Sequence, residues 1–155
     1  MSYQRLIEDH DLIDQLARKL ETIAEADCAE PVEAVRVLMN LSCAVSEHLA
    51  YEDRTVYSRL IDAKPRLAEP AIDFEQTFQQ LRADWLAYLS DWNGETLTLD
   101  WACFCDETKA MMARLRTRVG DETDLIYPTA MQRGLIRLRC EYRPGTSASQ
   151  AATSK

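Results

Sequence analysis

LMNLSCAVSEHLAYEDRTV, residues 38–56, is the stretch that decides the fold. Leu38, Leu41, Val45, His48, Glu52 and Val56 recur at three- and four-residue spacing. At about 100° per residue they share roughly a third of a helix circumference, so they form one buried stripe. The stripe begins with packing groups and ends with a histidine and a glutamate one helical turn apart. Ionisable groups are costly to bury unless they are paired or bind metal, so His48 and Glu52 are candidate site residues from the outset.

Working outward, the same periodicity predicts four helices. The helix carrying this stripe spans about Pro31 to Ala63, with Pro31 at its first position, where a missing N–H costs nothing. Before it, Ser2 to Ala26 repeats Leu6, His10, Ile13, Ala17, Leu20 and Ala24 on one face, and Asp27 to Glu30 is the turn. Pro65 and Pro70 break the chain. A third helix follows from about Pro70 to Trp92, with Phe74, Phe78, Leu81, Trp85, Tyr88 and Trp92 in line. Asn93-Gly94 is read as its close, since both residues tolerate a left-handed cap.

Thr98 or Asp100 caps a fourth helix that continues towards Tyr127, with Phe104, Met111, Leu115, Arg118, Glu122 and Ile126 facing inward. Gly120 within it either costs about 1 kcal/mol relative to alanine or marks a break. Pro128 ends or kinks the helix. A short fifth helix around Met131 to Cys140 is left open, and the stretch YRPGTSASQAATSK, residues 142–155, reads as a disordered polar tail. The expected fold is all-α: an antiparallel up-down four-helix bundle over residues 1–141, with short connections between neighbours.

Composition sets limits on function. The net charge of −8, from 26 acidic and 18 basic residues, argues against a nucleic-acid partner, which needs a basic face to displace counterions. It argues equally against docking on anionic lipid, and no apolar run approaches the ~20 residues that span a bilayer. Five cysteines, an odd number without a C-x-x-C pair, and a charged amphipathic start in place of a signal peptide point to a cytoplasmic chain with reduced thiols. No nucleophile–base arrangement and no glycine-rich phosphate loop is present, which favours a non-enzymatic role. Cys103 and Cys105 fall about 200° apart on a helix, so they do not chelate together and read as structural.

The chain's only two histidines, His10 and His48, both fall on apolar faces. His48 and Glu52, and again Arg118 and Glu122, stand four residues apart on their helices. Imidazole and carboxylate reaching inward from one helix suit iron, zinc or manganese. The bland alternatives are a satisfied core histidine at His10, and an Arg118 turned to solvent by a register shift at Gly120.

His48-Leu-Ala-Tyr-Glu52-Asp-Arg-Thr-Val-Tyr57 resembles the second-helix signature of hemerythrin-like cation-binding domains, with Ser58 where that signature has proline. Glu8-Asp9-His10-Asp11-Leu12-Ile13 resembles the family's first histidine segment, and Glu122-Thr-Asp-Leu-Ile-Tyr127-Pro128 its second glutamate and Tyr-Pro ending. Within this resemblance, which runs from about Arg5 to Pro128, His10, His48, Glu52 and Glu122 match metal ligands. Phe74, in Asp73-Phe74-Glu75, and Arg118 stand where the family has histidines.

The resemblance implies a bundle that would hold two bridged irons. It also implies roles such as oxygen binding, iron handling or nitric oxide and redox sensing. Phenylalanine cannot ligate, and arginine stays protonated. The remaining two histidines and two carboxylates suffice for one iron or zinc, or the centre binds none. Arg118 is expected to take the place of the lost cation against Glu122, Glu52 or both, with Phe74 filling its histidine's volume. Tyr57 and Tyr127, in equivalent positions of the two halves, are second-shell donors or ordinary core aromatics. The functional expectation is a regulatory or signalling module, in stress or redox biology, acting on a protein partner or as a homodimer. The alternative is a single-metal sensor or carrier of oxygen or nitric oxide.

Overall fold

The computed structural model describes residues 3–54, 68–132, 134 and 136, with side chains in the second stretch given from Phe78 onward. Four long helices form the body: α1 (Tyr3–Glu25), α2 (Pro31–Glu52), α3 (Ala68–Asp91) and, after the six-residue α4 (Gly94–Leu99), α5 (Trp101–Asp121). A π-helical turn, Glu122–Ile126, then leads into α6 (Tyr127–Gln132). The described residues contain no strand. No helix among them is long and apolar enough to cross a membrane. Helix α1 packs on α2 and α5, α3 packs on α5, and α4 closes one end against α2 and α5. This is the all-α bundle that the periodicity predicts.

The expected stripes are the buried faces. Leu6, His10, Ile13, Ala17, Leu20 and Ala24 of α1 are buried, as are Leu38, Leu41, Val45, His48 and Glu52 of α2. On α3, Phe78, Leu81, Trp85 and Tyr88 are buried, as is Trp92 just beyond its end. Each large apolar side chain removed from water contributes about 1.5–3 kcal/mol, which is what holds the helices together. The core is in two parts. A long cluster includes Ile13, Leu41, Val45, Trp85 and Leu115, and a small one comprises Leu6, Tyr127, Ala130 and Ile136. His10 sits between Leu6 and Ile13, so the buried ionisable groups lie as a layer between the two clusters.

The structure decides several local features that the sequence left open or placed differently. Asn93 opens a helix rather than closing one. Its side chain accepts the Glu95 and Thr96 N–H groups at 2.9 and 3.1 Å, and Thr96 Oγ1 accepts the Asn93 N–H at 2.9 Å. That reciprocal capping box stabilises α4. Asp100, not Thr98, caps α5 by accepting the Cys103 N–H at 3.2 Å.

Pro128 does not end the helix; it is the second residue of α6. Proline cannot donate to a carbonyl four residues back, and the turn before it widens to a π turn in which the Tyr127 N–H bonds Glu122 O. Helix α6 then ends at Gln132, and Gly134 takes the positive φ of 70° that the following turn needs. Helix α6 overlaps the expected fifth helix only at Met131 and Gln132; most of Met131 to Cys140 lies outside the described residues, as do Tyr57 and the tail at 142–155.

Candidate metal centre

His10 and His48 are each 3% exposed, Glu52 0% and Glu122 1%. Each arrives on a different part of the bundle: His10 from the middle of α1, His48 and Glu52 from the last turn of α2, and Glu122 from the start of the π turn after α5. Their inward atoms converge. His10 Nε2 lies 3.0 Å from Glu122 Oε2 and 3.2 Å from His48 Nε2. His48 Nε2 is 3.5 Å from Glu122 Oε2 and 3.8 Å from Glu52 Oε2. Donors on a metal with bonds of about 2.0–2.2 Å stand about 3.0 Å apart in an octahedron and about 3.4 Å apart in a tetrahedron. His10, His48 and Glu122 fall on those spacings and form one group able to hold a cation.

The hydrogen-bond network selects the nitrogen that faces inward on His10. The Thr123 hydroxyl donates its single proton to Val119 O at 2.8 Å, so at 3.0 Å from His10 Nδ1 it can only accept. With the Thr123 hydroxyl accepting, the His10 proton is assigned to Nδ1 and Nε2 has a lone pair for a metal; with the proton on Nε2, that nitrogen donates to Glu122 Oε2 instead. On the other histidine, Nδ1 is 3.7 Å from Asp9 Oδ2, and neither of those two atoms has a hydrogen-bond partner.

The two glutamates behave oppositely. Both oxygens of Glu52 are buried without a hydrogen-bond partner. Burial and the nearby Glu122 charge push its carboxyl well above the usual range, against the pull of His48, Arg118 and the Tyr127 hydroxyl. Burial also acts to raise Glu122, but contacts with His10 and His48 and the charge of Arg118 outweigh it and hold that carboxyl low. Desolvation opposes a charged His48, yet the surrounding Glu122, Glu52 and Asp9 carboxylates raise it. An orphaned buried carboxylate beside two imidazoles is a costly arrangement for an apolar core and a suitable one for a metal ion. The donor set therefore fits a metal.

Arg118 points inward and is 7% exposed, so the solvent-facing alternative does not hold. Its Nε donates to Glu122 Oε1, and its guanidinium carbon lies 4.5 Å from the centroid of the Phe78 ring. Glu122 is thus divided: Oε2 faces the histidines and Oε1 faces the guanidinium.

Phe74 is on α3, but its side chain lies outside the described residues. The aromatic beneath Arg118 is Phe78, a pairing that periodicity alone does not disclose. Beside His48 and Glu122 lies a cavity of about 30 Å³, lined among others by Ile13, Val45, Leu81, Trp85, Leu115 and Arg118. It is roomy enough for a water-sized molecule.

Residues 1–130 match the family model of the hemerythrin HHE cation-binding domain. The chain belongs to the hemerythrin family. No curated protein and no solved structure gives a significant match. The family model is that of a cation-binding domain, and His10, His48 and Glu122 are a group that could hold a cation. Sequence reasoning missed Thr123, whose role depends on a hydroxyl one residue after Glu122. It placed Ile126 on the buried stripe, but the π turn adds a residue, so Ile126 is only partly buried and Tyr127 is fully buried. The cysteine reading is corrected in part: Cys105 is buried, but Cys103 is exposed.

Proposed function

We propose that this hemerythrin domain is a single-metal module, with His10, His48, Glu52 and Glu122 as ligands and Arg118 in place of the second metal. The observation that carries this reading is the division of Glu122 between the two histidines and the guanidinium. Iron bound to such a donor set supplies a redox couple and an open position for a small ligand. Two imidazoles and two carboxylates leave that position free, and the cavity beside His48 and Glu122 gives a small molecule somewhere to lie. The function that follows is a sensor or carrier of oxygen or nitric oxide, with the protein contributing ligand geometry and a dry surrounding.

A second reading, that of a regulatory module working through a protein partner in stress or redox signalling, is favoured by the Arg118–Glu122 pair. Because Glu122 already has a resident cation, the bundle can stay folded without metal. The free thiols at Cys28, Cys43 and Cys103 support a reducing compartment such as the cytoplasm for either role.

Metal content separates the readings. Protein reconstituted anaerobically with ferrous iron, or with zinc, is expected to retain one ion per chain by mass spectrometry and to lose it in His48→Ala. A folded protein that retains none would sink the single-metal reading and leave the partner-binding one.

A further inference from the structure

Tyr127 brings a phenol to the point where the histidines and carboxylates meet, and we infer that this phenol is a fifth metal donor. The inference rests on the single-metal reading above. Tyr127 is 0% exposed. Its hydroxyl lies 3.0 Å from His10 Nε2, the same separation as Glu122 Oε2 from that nitrogen. Both are the spacing of neighbouring donors on a metal with bonds of about 2.0–2.2 Å.

The position is fixed on three sides. The Tyr127 ring stacks on His10, with centroids 5.2 Å apart and planes 25° from parallel. The edge-on Tyr3 ring packs against it at 6.2 Å. The π turn sets its direction, since Tyr127 follows Glu122 by five residues and the i, i−5 bond between them closes that turn. In an uninterrupted α-helix, Ile126 would point here instead.

The protons point the same way. In the tautomer with the proton on Nδ1, towards Thr123, His10 Nε2 is the acceptor that faces the Tyr127 O–H. A metal bound at Nε2 takes the lone pair that held the Tyr127 proton. The phenol oxygen is then left beside the cation with its own lone pairs available. Binding forms a metal–oxygen bond, breaks the O–H bond and releases the proton to solvent, with no change of oxidation state. Burial favours this neutralisation of the metal's charge.

The test uses the full chain loaded anaerobically with ferrous iron and then oxidised with ferricyanide. The expected result is a strong visible absorption from phenolate-to-ferric charge transfer, with phenolate vibrations in the resonance Raman spectrum. Tyr127→Phe should lose both while retaining iron by mass spectrometry. Tyr57→Phe, altered at the equivalent position of the first half, should keep both. In a weakly buffered titration with zinc, the parent should release one proton more than Tyr127→Phe.

Iron-loaded parent without the band would overturn the inference and leave the single-metal reading intact. So would a band that survives in Tyr127→Phe or disappears in Tyr57→Phe. A parent that retains neither iron nor zinc would overturn both. If Tyr127→Phe does not fold, the parent and Tyr57→Phe spectra still decide the matter.

Discussion

The ends of α2 and α5 repeat one pattern with one change. Both carry a buried residue and then a buried glutamate four positions later: His48 and Glu52 on the first, Arg118 and Glu122 on the second. Depth does not distinguish the glutamates, since both are essentially fully buried. Their neighbours do. Glu122 has a guanidinium on one oxygen and histidines at the other, and its carboxyl is held low. Glu52 has no hydrogen bond at either oxygen, and its carboxyl is pushed up. The same side chain at the same burial is thus a satisfied anion on one helix and an unsatisfied one on the other. The second of these gains most from an incoming cation.

The sharpest way to break that comparison is to remove the resident cation. Arg118→Met keeps much of the volume but leaves Glu122 uncompensated. It should destabilise the metal-free protein by about 3–5 kcal/mol in urea denaturation, the usual cost of breaking a buried pair. Wild-type stability in that variant would mean the guanidinium contributes nothing at this depth. Glu52→Gln should do the opposite. Metal-free stability should be retained or rise, because a poorly solvated carboxyl is replaced by a neutral amide, while metal affinity should fall by at least about 100-fold, since even outer-shell changes cost 10–100-fold.

The pH dependence follows from the same pair. Glu52 has a raised folded value, so between the ordinary carboxylate range and that value the folded state binds more protons than the unfolded. Its contribution is present in acid and is lost as pH rises through the raised value. Glu122 has a lowered folded value, so its contribution is present above the ordinary carboxylate range and is lost as pH falls towards the lowered value. Metal-free Glu52→Gln should therefore lose the alkaline decline in stability and keep the acid one. A decline unchanged by the substitution would assign it to other groups.

Smaller effects test the supports. Thr123→Val removes the acceptor that holds the His10 proton on Nδ1, and metal affinity should fall about 10-fold with little change in the unfolding midpoint. Gly120 is the counterpart of Ala50 between the two members of each pair, and a Cβ there meets nothing within 4 Å. Gly120→Ala makes the two ends alike and should raise stability by about 0.5–1 kcal/mol. Destabilisation by Gly120→Ala would mean that the α5 backbone is not the regular helix described.

Much of this was legible in the sequence, because buried faces repeat every 3.6 residues whatever the tertiary detail. The stripes from Leu6 to Ala24 and from Leu38 to Glu52 follow that rule, and they carry His10, His48 and Glu52 into the core with them. Arg118 was legible as an inward cation for the same reason. What was hidden lies where the helix departs from its period. The π turn after Glu122 shifts the inward face from Ile126 to Tyr127, and a rule with a fixed angle per residue cannot anticipate that shift. Asn93 misled for a different reason: asparagine suits either end of a helix, and the capping box with Thr96 decides between them only once the chain is folded. Thr123 and Phe78 owe their roles to partners on other elements, His10 and Arg118, which no local pattern identifies.

The most direct test of the central claim, that Arg118 holds the second cation's place, is the number of iron ions per chain in the parent and in Arg118→His. Both are loaded anaerobically with excess ferrous iron and counted by mass spectrometry after gel filtration. The account predicts one ion in the parent, and more than one in Arg118→His, where the guanidinium gives way to an imidazole that can bind metal. Two ions in the parent would contradict it, because Glu122 would then be shared by two metals with Arg118 still present.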